Sequence, residues 1–338
     1  MKTVHLVIPD LFLPKDIAAE VCADLPSPAL EKLLGRGHHE IHDPVVLEDM
    51  LGGMFGTSSS VKSPIAAVSA SFDGLGEGCW LRADPVHLRL QRDQMLALPH
   101  SEISADEAGQ MCASLNLHFA GQGMEFFAPH PHRWYVRLDS LPDIRTRPIS
   151  QVIGRDMKGL LPSGAEAPRW NRVFNEIQML LFAHPLNETR AERGALEINS
   201  LWLWGGGTAG EKASLQENYN HVSSDEVLVE MFANAAGIPF SKWTGHWSGA
   251  EREGRQLLVW TGLQSALQSG DLAAWGSALL EFETGYARPL WQALRSGRIG
   301  GLQMDIPGND GMRRVVLKRF DTWSFWRRAR RLAEYSMV

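Results

Sequence analysis

The sequence has few cysteines, no long apolar run and no excess of positive charge, and each absence excludes a class of protein. Its three cysteines, Cys22, Cys79 and Cys112, are far apart in the chain, which fits a reducing compartment better than a disulfide framework. No apolar run approaches the roughly 18 residues that a membrane span needs, and the opening MKTVHLVIPDLFLP makes a poor signal peptide. We therefore expect a cytoplasmic protein without a membrane span.

Charge and length narrow the class further. The formal net charge is −6, which argues against a general binder of phosphate backbones, so nucleic acid is not an expected partner. The chain has 338 residues, enough for one large α/β domain or for two linked units.

The first strand and the first helix can be placed from pattern alone. The run TVHLVI at 3–8 predicts a buried strand that opens an α/β fold. Asp10 follows its carboxyl end, where ligands bind in open α/β sheets, so this acid is either functional or a turn residue. SPALEKLLGRG at 27–37 predicts a helix with Ser27 as its cap and Pro28 at its first position.

Two polar segments after this helix invite a functional interpretation. HHEIHD at 38–43 offers three imidazoles, which suit zinc or manganese, but its spacing matches no closed site and is also typical of a polar loop. GTSSS at 56–60, which contains Thr57 and Ser58, resembles a phosphate nest only loosely because it lacks the lysine of a P-loop.

Arginines are dense in the next region. Arg82, His87, Arg89 and Arg92 lie along a predicted strand and turn, and Arg133 follows a Pro-His turn between two further predicted strands. Guanidinium groups bind phosphate or carboxylate in bidentate fashion, so these side chains predict a binding site for such a ligand. Salt bridges on a strand surface explain the same pattern.

The C-terminal segment WSFWRRARRLAEY at 323–335 predicts an amphipathic helix. We expect this helix to dock on the core through its aromatic face and to leave its arginines in solvent. Contact with an acidic partner or a membrane surface is the other interpretation.

Several blocks of the sequence, in this order, resemble the archaeal-type cofactor-independent phosphoglycerate mutases of the alkaline phosphatase superfamily. The most specific block runs from 160 to 207 and contains the His-Pro-Leu-Asn motif at 184–187, then a tryptophan-containing strand and a glycine triplet. The other blocks are SPALEKLLGRG, LRADPVHL at 81–88, ISADEAGQMCASLNL at 103–117, HRWYVRL at 132–138 and LVEMFANAAGI at 228–238.

The resemblance implies a fold and a chemistry. The fold is α/β, an alkaline-phosphatase-like, mostly parallel sheet flanked by helices, with a smaller inserted α/β domain. We assign 1–75 and 200–338 to the core domain, and 76–199 to the inserted domain and its return segment. The family's chemistry uses two divalent metals, of manganese or zinc type, and a serine that carries the phosphoryl group.

The sequence departs from the family pattern where the chemistry should be. The nucleophile motif aligns with PVVLEDMLGGMFG at 44–56, where Leu47 or Glu48 stands in the place of the serine. A later metal motif aligns with 255–275 and lacks its acids and imidazole, and the last motif aligns with 306–320, which contains no histidine. Asp10, Asp305 and Asp310 are the acids from which a metal site could be rebuilt.

These departures lead to three hypotheses. The first is a phosphoglycerate-mutase-like protein that has lost its two metals and its nucleophile, needs no cofactor, and binds a small phosphorylated or carboxylated ligand in a regulatory role. The second is a working mutase or phosphatase whose rebuilt site uses manganese or zinc, with Asp10, Thr57 or Ser58 in catalysis. The third is a structural partner protein with an exposed patch formed by Trp243, Trp247, Trp323 and Trp326.

Overall fold

The computed structural model describes residues 2–56, 63–98, 102–212, 215–249, 252–308, 310–324 and 326–336. The chain forms two compact units, which we call the core unit (Met1–Ser58 and Gln216–Val338) and the inserted unit (Ser59–Leu215). No helix within the described ranges is both long and apolar enough to cross a membrane.

The core unit is built on a seven-stranded sheet. Its strands are β1 (Thr3–Val7), β2 (His38–His42), β8 (His221–Ser224), β9 (Phe240–Lys242), β10 (Arg255–Val259), β11 (Gly301–Gly308) and β12 (Gly311–Lys318). Their order in space is β2-β12-β11-β1-β10-β8-β9. Five neighbouring strands run parallel to one another. At one edge, β12 pairs antiparallel with β11, and β2 pairs antiparallel with β12. The predicted α/β class with a mostly parallel sheet is therefore confirmed.

Helices pack against this sheet. They are α1 (Lys15–Val21), α2 (Pro28–Arg36), α3 (Leu47–Met54), α9 (Val227–Ala235), α10 (Gln264–Ser269), α11 (Leu272–Phe282), α12 (Arg288–Ser296) and α13 (Leu332–Tyr335). One face of the sheet, which includes Val4, Leu6 and Met304, packs with the apolar stripes of α2, α11 and α12. Between α11 and α12 lies a π-helical turn, Glu283–Ala287.

The inserted unit is a five-stranded antiparallel sheet with helices on both faces. Its strands are β3 (Cys79–Gln91), β4 (Gln94–Leu98), β5 (Met124–His130), β6 (Arg133–Leu138) and β7 (Ser200–Thr208). Its helices are α4 (Ile65–Phe72), α5 (Ala105–His118), α6 (Ala167–Phe182), α7 (Pro185–Glu192) and α8 (Ala209–Lys212). The boundaries that we assigned at 75 and 200 fall inside this unit, because β7 pairs with β3 and α4 packs on both strands.

The glycine triplet at 205–207 lets α4 approach β7 closely. Gly205 has a φ of +67°, which glycine adopts at little cost. A Cβ at Gly207 would come within 2.9 Å of the Pro64 backbone. The triplet is therefore a packing feature and not a phosphate cradle.

The most specific block of the resemblance ties the inserted unit together. Asn187 donates to the carbonyls of Leu181 and Ile198 and accepts from the Ile198 N–H. Arg190, which is fully buried, donates to Glu107 at 3.0 Å, and Glu107 also forms a capping box with Ser104 at the start of α5. These residues connect α7 with β7 and with the start of α5, so their role here is structural.

Two expectations are wrong, one about HHEIHD at 38–43 and one about the C-terminal segment at 323–335. HHEIHD is not a loop: 38–42 forms edge strand β2, which pairs with β12 in a register that places Glu40 beside Arg314. The C-terminal segment is not one helix, since among its described residues only Leu332–Tyr335 is α-helical. Leu332 and Tyr335 join the core as expected, whereas Trp323 and Trp326 are exposed.

The tryptophan patch of the third hypothesis does not form as a set. Trp247 is buried, and Trp243 stacks on Tyr286 with ring centroids 3.7 Å apart. Only the two C-terminal members of the predicted patch are largely exposed.

Candidate functional site

The carboxyl edge of the core sheet collects the acids that follow its parallel strands. Asp10 lies beyond the end of β1, Asp225 directly after β8, and Asp310 in the turn after β11. In open α/β sheets this is the edge where ligands bind. A metal or phosphate site of the predicted kind is therefore expected at this edge.

Asp10 is held in an uncommon backbone conformation at this edge. Its φ is +57°, a left-handed conformation that aspartate tolerates better than most residues. Its N–H donates to the Pro307 carbonyl at 3.0 Å, and its Oδ2 accepts from Gln264 Nε2 at 3.2 Å. Trp275 Nε1 donates to the Asp10 carbonyl at 3.4 Å. These bonds fix Asp10 between the ends of β1 and β11 and the start of α10.

Asp225 is a candidate that the sequence interpretation missed. Both of its carboxylate oxygens accept from the Thr261 N–H, at 2.8 and 3.1 Å. Desolvation raises the pKa of Asp225 although the hydrogen bond from Thr261 opposes it. The signal that could have found it is the one that found Asp10, an acid immediately after a short buried strand.

Asp305 is buried in β11 and lies within the sheet rather than at its edge. Its two carboxylate oxygens accept from Arg314 Nε and Nη2 at 2.7 and 2.8 Å, and His5 Nε2 lies 2.9 Å from Oδ2. Gln303 Nε2 is a further donor, at 3.1 Å. Burial would raise the pKa of Asp305, but the bonds from Arg314 and His5 outweigh burial and hold that pKa well below its usual range.

The described acids do not fit the two-metal centre that the resemblance implies. Within the described ranges, no three His, Cys, Asp or Glu side chains are grouped closely enough to hold a metal ion. Asp305 is already saturated by Arg314 and His5, and Asp310 lies exposed in its turn. Thr57 and Ser58 lie outside the described residues. Two dications need about six convergent ligands, and this donor set falls short.

The structure brings together two of the five predicted ligand-binding residues, Arg82 and Arg133, in the inserted unit. Arg82 donates to Asp84 at 2.6 Å and lies over the rings of Tyr135 and Trp204. Its cross-strand partner is Tyr135, two residues from Arg133 on β6. Trp204 Nε1 donates to the other oxygen of Asp84 at 2.7 Å.

Arg133 makes the matching pair with Asp73 at the end of α4. Its Nε and Nη2 donate to the two carboxylate oxygens at 2.9 and 2.6 Å, and the Tyr135 hydroxyl donates to the same group at 2.5 Å. Burial acts to raise the pKa of Asp73, but these donors hold that pKa below its usual range. Both arginines therefore already have an aspartate partner.

The other three predicted residues lie further along β3. His87 Nδ1 is 3.0 Å from the Glu197 carbonyl. Arg89 and Arg92 are exposed, and Arg92 lies in the β3–β4 turn with a φ of +56°. Seven residues of strand separate Arg82 from Arg89, about 23 Å at the usual rise. The five residues therefore do not converge on a single ligand.

The fold defines an α/β protein with a largely parallel sheet and an inserted unit, and a solved structure shares this fold. A protein from Pyrococcus horikoshii aligns over 94% of this chain and 87% of its own, with a TM-score of 0.56 and 13% identity. The cofactor-independent phosphoglycerate mutase from Thermoplasma acidophilum aligns over 94% and 90%, with a TM-score of 0.47 and 13% identity. No family model matches the chain.

Sequence relatives of this chain are named 2,3-bisphosphoglycerate-independent phosphoglycerate mutases. The 2,3-bisphosphoglycerate-independent phosphoglycerate mutase of Methanosarcina barkeri is 24% identical over 174 residues, which is 51% of this chain and 43% of that protein. A probable enzyme of the same name from Geobacter sulfurreducens is 36% identical over 101 residues, 29% of this chain and 25% of its own. The matches thus span less than half the length of these relatives. They confirm the resemblance predicted from the sequence, and their identities fit a divergent relative.

Proposed function

We propose that this chain is a phosphoglycerate-mutase-like protein that does not carry out two-metal phosphoryl transfer and instead binds a small phosphorylated or carboxylated ligand in a regulatory role. The observation that carries the proposal is the state of Asp305, whose two oxygens are both bound by Arg314. A metal ion would have to displace a guanidinium to use this carboxylate. The absence of a serine where the family motif places its nucleophile supports the same conclusion.

Metal binding and turnover test this proposal together. Purified protein is titrated calorimetrically with MnCl₂ and with ZnCl₂, and interconversion of 3-phosphoglycerate and 2-phosphoglycerate is followed by ³¹P NMR. We expect no tight stoichiometric binding of either metal, and no interconversion of the two phosphoglycerates above that in the protein-free control. Stoichiometric tight binding of either metal, or measurable turnover, would contradict the proposal.

A second candidate function is a metal-dependent mutase or phosphatase with a rebuilt site. The specific observation in its favour is that Asp10, Asp225 and Asp310 all follow strands that end at one edge of one sheet. It predicts that bound manganese and activity are both lost in Asp10→Asn and retained in Asp16→Asn, an acid of α1. Equal metal binding by the two variants would argue against it.

Among the five predicted ligand-binding residues, Arg89 of β3 and Arg92 of the β3–β4 turn are the most accessible to an anionic ligand. Arg89 and Arg92 are exposed, whereas Arg82 and Arg133 are paired with aspartates. A phosphate or carboxylate can therefore pair with Arg89 and Arg92 without displacing a protein carboxylate. Arg133, with 18% of its side chain exposed, would contribute only if Asp73 released it.

Calorimetry with 3-phosphoglycerate tests this assignment. We expect the double variant Arg89→Gln/Arg92→Gln to bind at least tenfold more weakly than the parent protein. The control is Arg169→Gln, an exposed arginine of α6 in the same unit, which should bind as the parent does. If the double variant and the control bind equally well, these arginines are not the ligand site.

A further inference from the structure

A large cleft lies at the amino edge of the core sheet, opposite the edge that carries Asp10. It has a volume of about 1050 Å³, the upper end of the range for small-molecule sites. Its walls come from the first residues of β1, β10 and β11, the last residues of β12, and the turn at 297–301. We call it the amino-edge cleft.

Positive charge is concentrated in this cleft. Five basic side chains and one carboxylate line it, in a chain whose net charge is −6: Lys2, Arg255, Arg298, Lys318, Arg319 and Glu253. Glu253 pairs with Lys2 at 3.0 Å but is 81% exposed, so water screens most of its effect. A concave surface lined by one sign of charge focuses the field and attracts anions.

The floor of the cleft is a row of side chains across four adjacent strands. The pairing register aligns Arg255 with Thr3, Thr3 with Gly301, and Gly301 with Lys318. Adjacent strands are about 4.8 Å apart, so the backbone positions of Arg255 and Lys318 are about 14 Å apart, with Thr3 and Gly301 between them in the register. A ligand of small-molecule size can enter between them.

Two of the guanidinium groups are held by packing. Arg255 lies over the Tyr219 ring, 4.7 Å from its centroid. Arg319 lies against Gly297, where an added Cβ would come within 2.9 Å of the guanidinium carbon. Cations that are already positioned lose less side-chain entropy when an anion binds.

The cleft also has an apolar wall. Phe320, 83% exposed, follows Arg319, and the partly buried Val316 contributes further apolar surface. Apolar surface of this kind beside cations suits a molecule with a carbon skeleton and acidic substituents.

We propose that the amino-edge cleft binds a soluble small molecule that carries at least two phosphate or carboxylate groups. The acidic groups pair with Arg255, Arg298 and Lys318, and the carbon skeleton lies against Phe320. This site belongs to the core unit and differs from the arginines of β3 in the proposed function. The two proposals therefore stand or fall separately.

Calorimetric titration with inorganic pyrophosphate at low ionic strength tests the site. We expect the parent protein to bind it, and the double variant Arg298→Gln/Lys318→Gln to bind at least tenfold more weakly. The matched control is Arg295→Gln, an exposed arginine at the end of α12 that does not line the cleft. Thermal unfolding checks that all three proteins are folded.

Three outcomes would overturn the proposal. In the first, the parent protein does not bind pyrophosphate at 1 mM. In the second, the double variant and Arg295→Gln lose affinity for pyrophosphate equally. In the third, the double variant keeps the affinity of the parent. A lipid head group presents the same phosphate chemistry. A second experiment therefore measures sedimentation of the protein with phosphatidylcholine vesicles that contain or lack a phosphoinositide. Binding to the phosphoinositide vesicles with no binding of free pyrophosphate is a case of the first outcome and would assign the cleft to a lipid head group. All titrations with pyrophosphate are repeated in the Arg89→Gln/Arg92→Gln background, so that those two arginines do not contribute to the measured binding.

Discussion

At the scale of single residues, Asp305 shows how a candidate ligand becomes a structural group. It lies at the centre of a charged row that crosses four strands, with His5 on β1, Arg314 on β12 and Glu40 on β2. His5 Nδ1 is in turn 2.8 Å from the Tyr219 hydroxyl. Each partner restrains the next, so the row joins the antiparallel edge of the sheet to its parallel centre.

We predict that Asp305→Asn lowers the free energy of unfolding by about 2 kcal/mol, because the partly buried Arg314 loses the buried counter-charge of Asp305. The measurement is urea unfolding at neutral pH. Glu40→Gln is the control: its carboxylate also lies near Arg314 but is half exposed, so we expect a loss below about 1 kcal/mol. Equal losses in the two variants would show that the buried pair has no special role.

At the scale of elements, helix α2 begins in a way that the sequence did not predict. Ser27 precedes Pro28 as expected for a cap, yet within the described residues its hydroxyl has no hydrogen-bond partner. Glu283 accepts from the Ala29 and Leu30 N–H groups instead, both at 2.9 Å. The π-helical turn between α11 and α12 contains Glu283 and so places a buried carboxylate at the positive end of α2.

We predict that Glu283→Gln destabilises the protein by about 1–2 kcal/mol, because it removes the negative charge at the start of α2. Glu281→Gln, an exposed acid of α11 two residues earlier, should change stability by less than about 0.5 kcal/mol. Thermal unfolding of both variants and the parent measures the difference. A Glu283 variant as stable as the Glu281 control would mean that α2 does not depend on this contact.

At the scale of the whole molecule, acid should reduce stability in two stages. Burial, with a smaller effect from Arg252, lowers the pKa of His221 to about 4, below the usual value of about 6.5. Between about pH 6.5 and 4, His221 is therefore protonated in the unfolded chain but not in the folded chain. The free energy of unfolding falls as pH drops through this range. Asp305 and Asp73 have lowered pKa values, so their contribution is present above about pH 4 and is lost below it.

This prediction is checked by measuring the free energy of unfolding at intervals between pH 7 and pH 3. His221→Gln should make the first stage shallower and leave the second unchanged, because His39, His130 and His184 also have lowered pKa values. Asp305→Asn should reduce only the second stage. If His221→Gln loses stability between pH 6.5 and 4 as steeply as the parent, His221 does not cause the first stage.

The sequence by itself determined the α/β class, the first strand and the capping box of α5, because these depend on residues near one another in the chain. It also determined that no serine stands at the aligned nucleophile position. Only the tertiary structure decided that Asp305 pairs with His5, 300 residues away, that Arg82 and Arg133 are paired with aspartates, and that HHEIH becomes an edge strand. These outcomes depend on strand order and register, which bring together groups whose sequence separation carries no local signal.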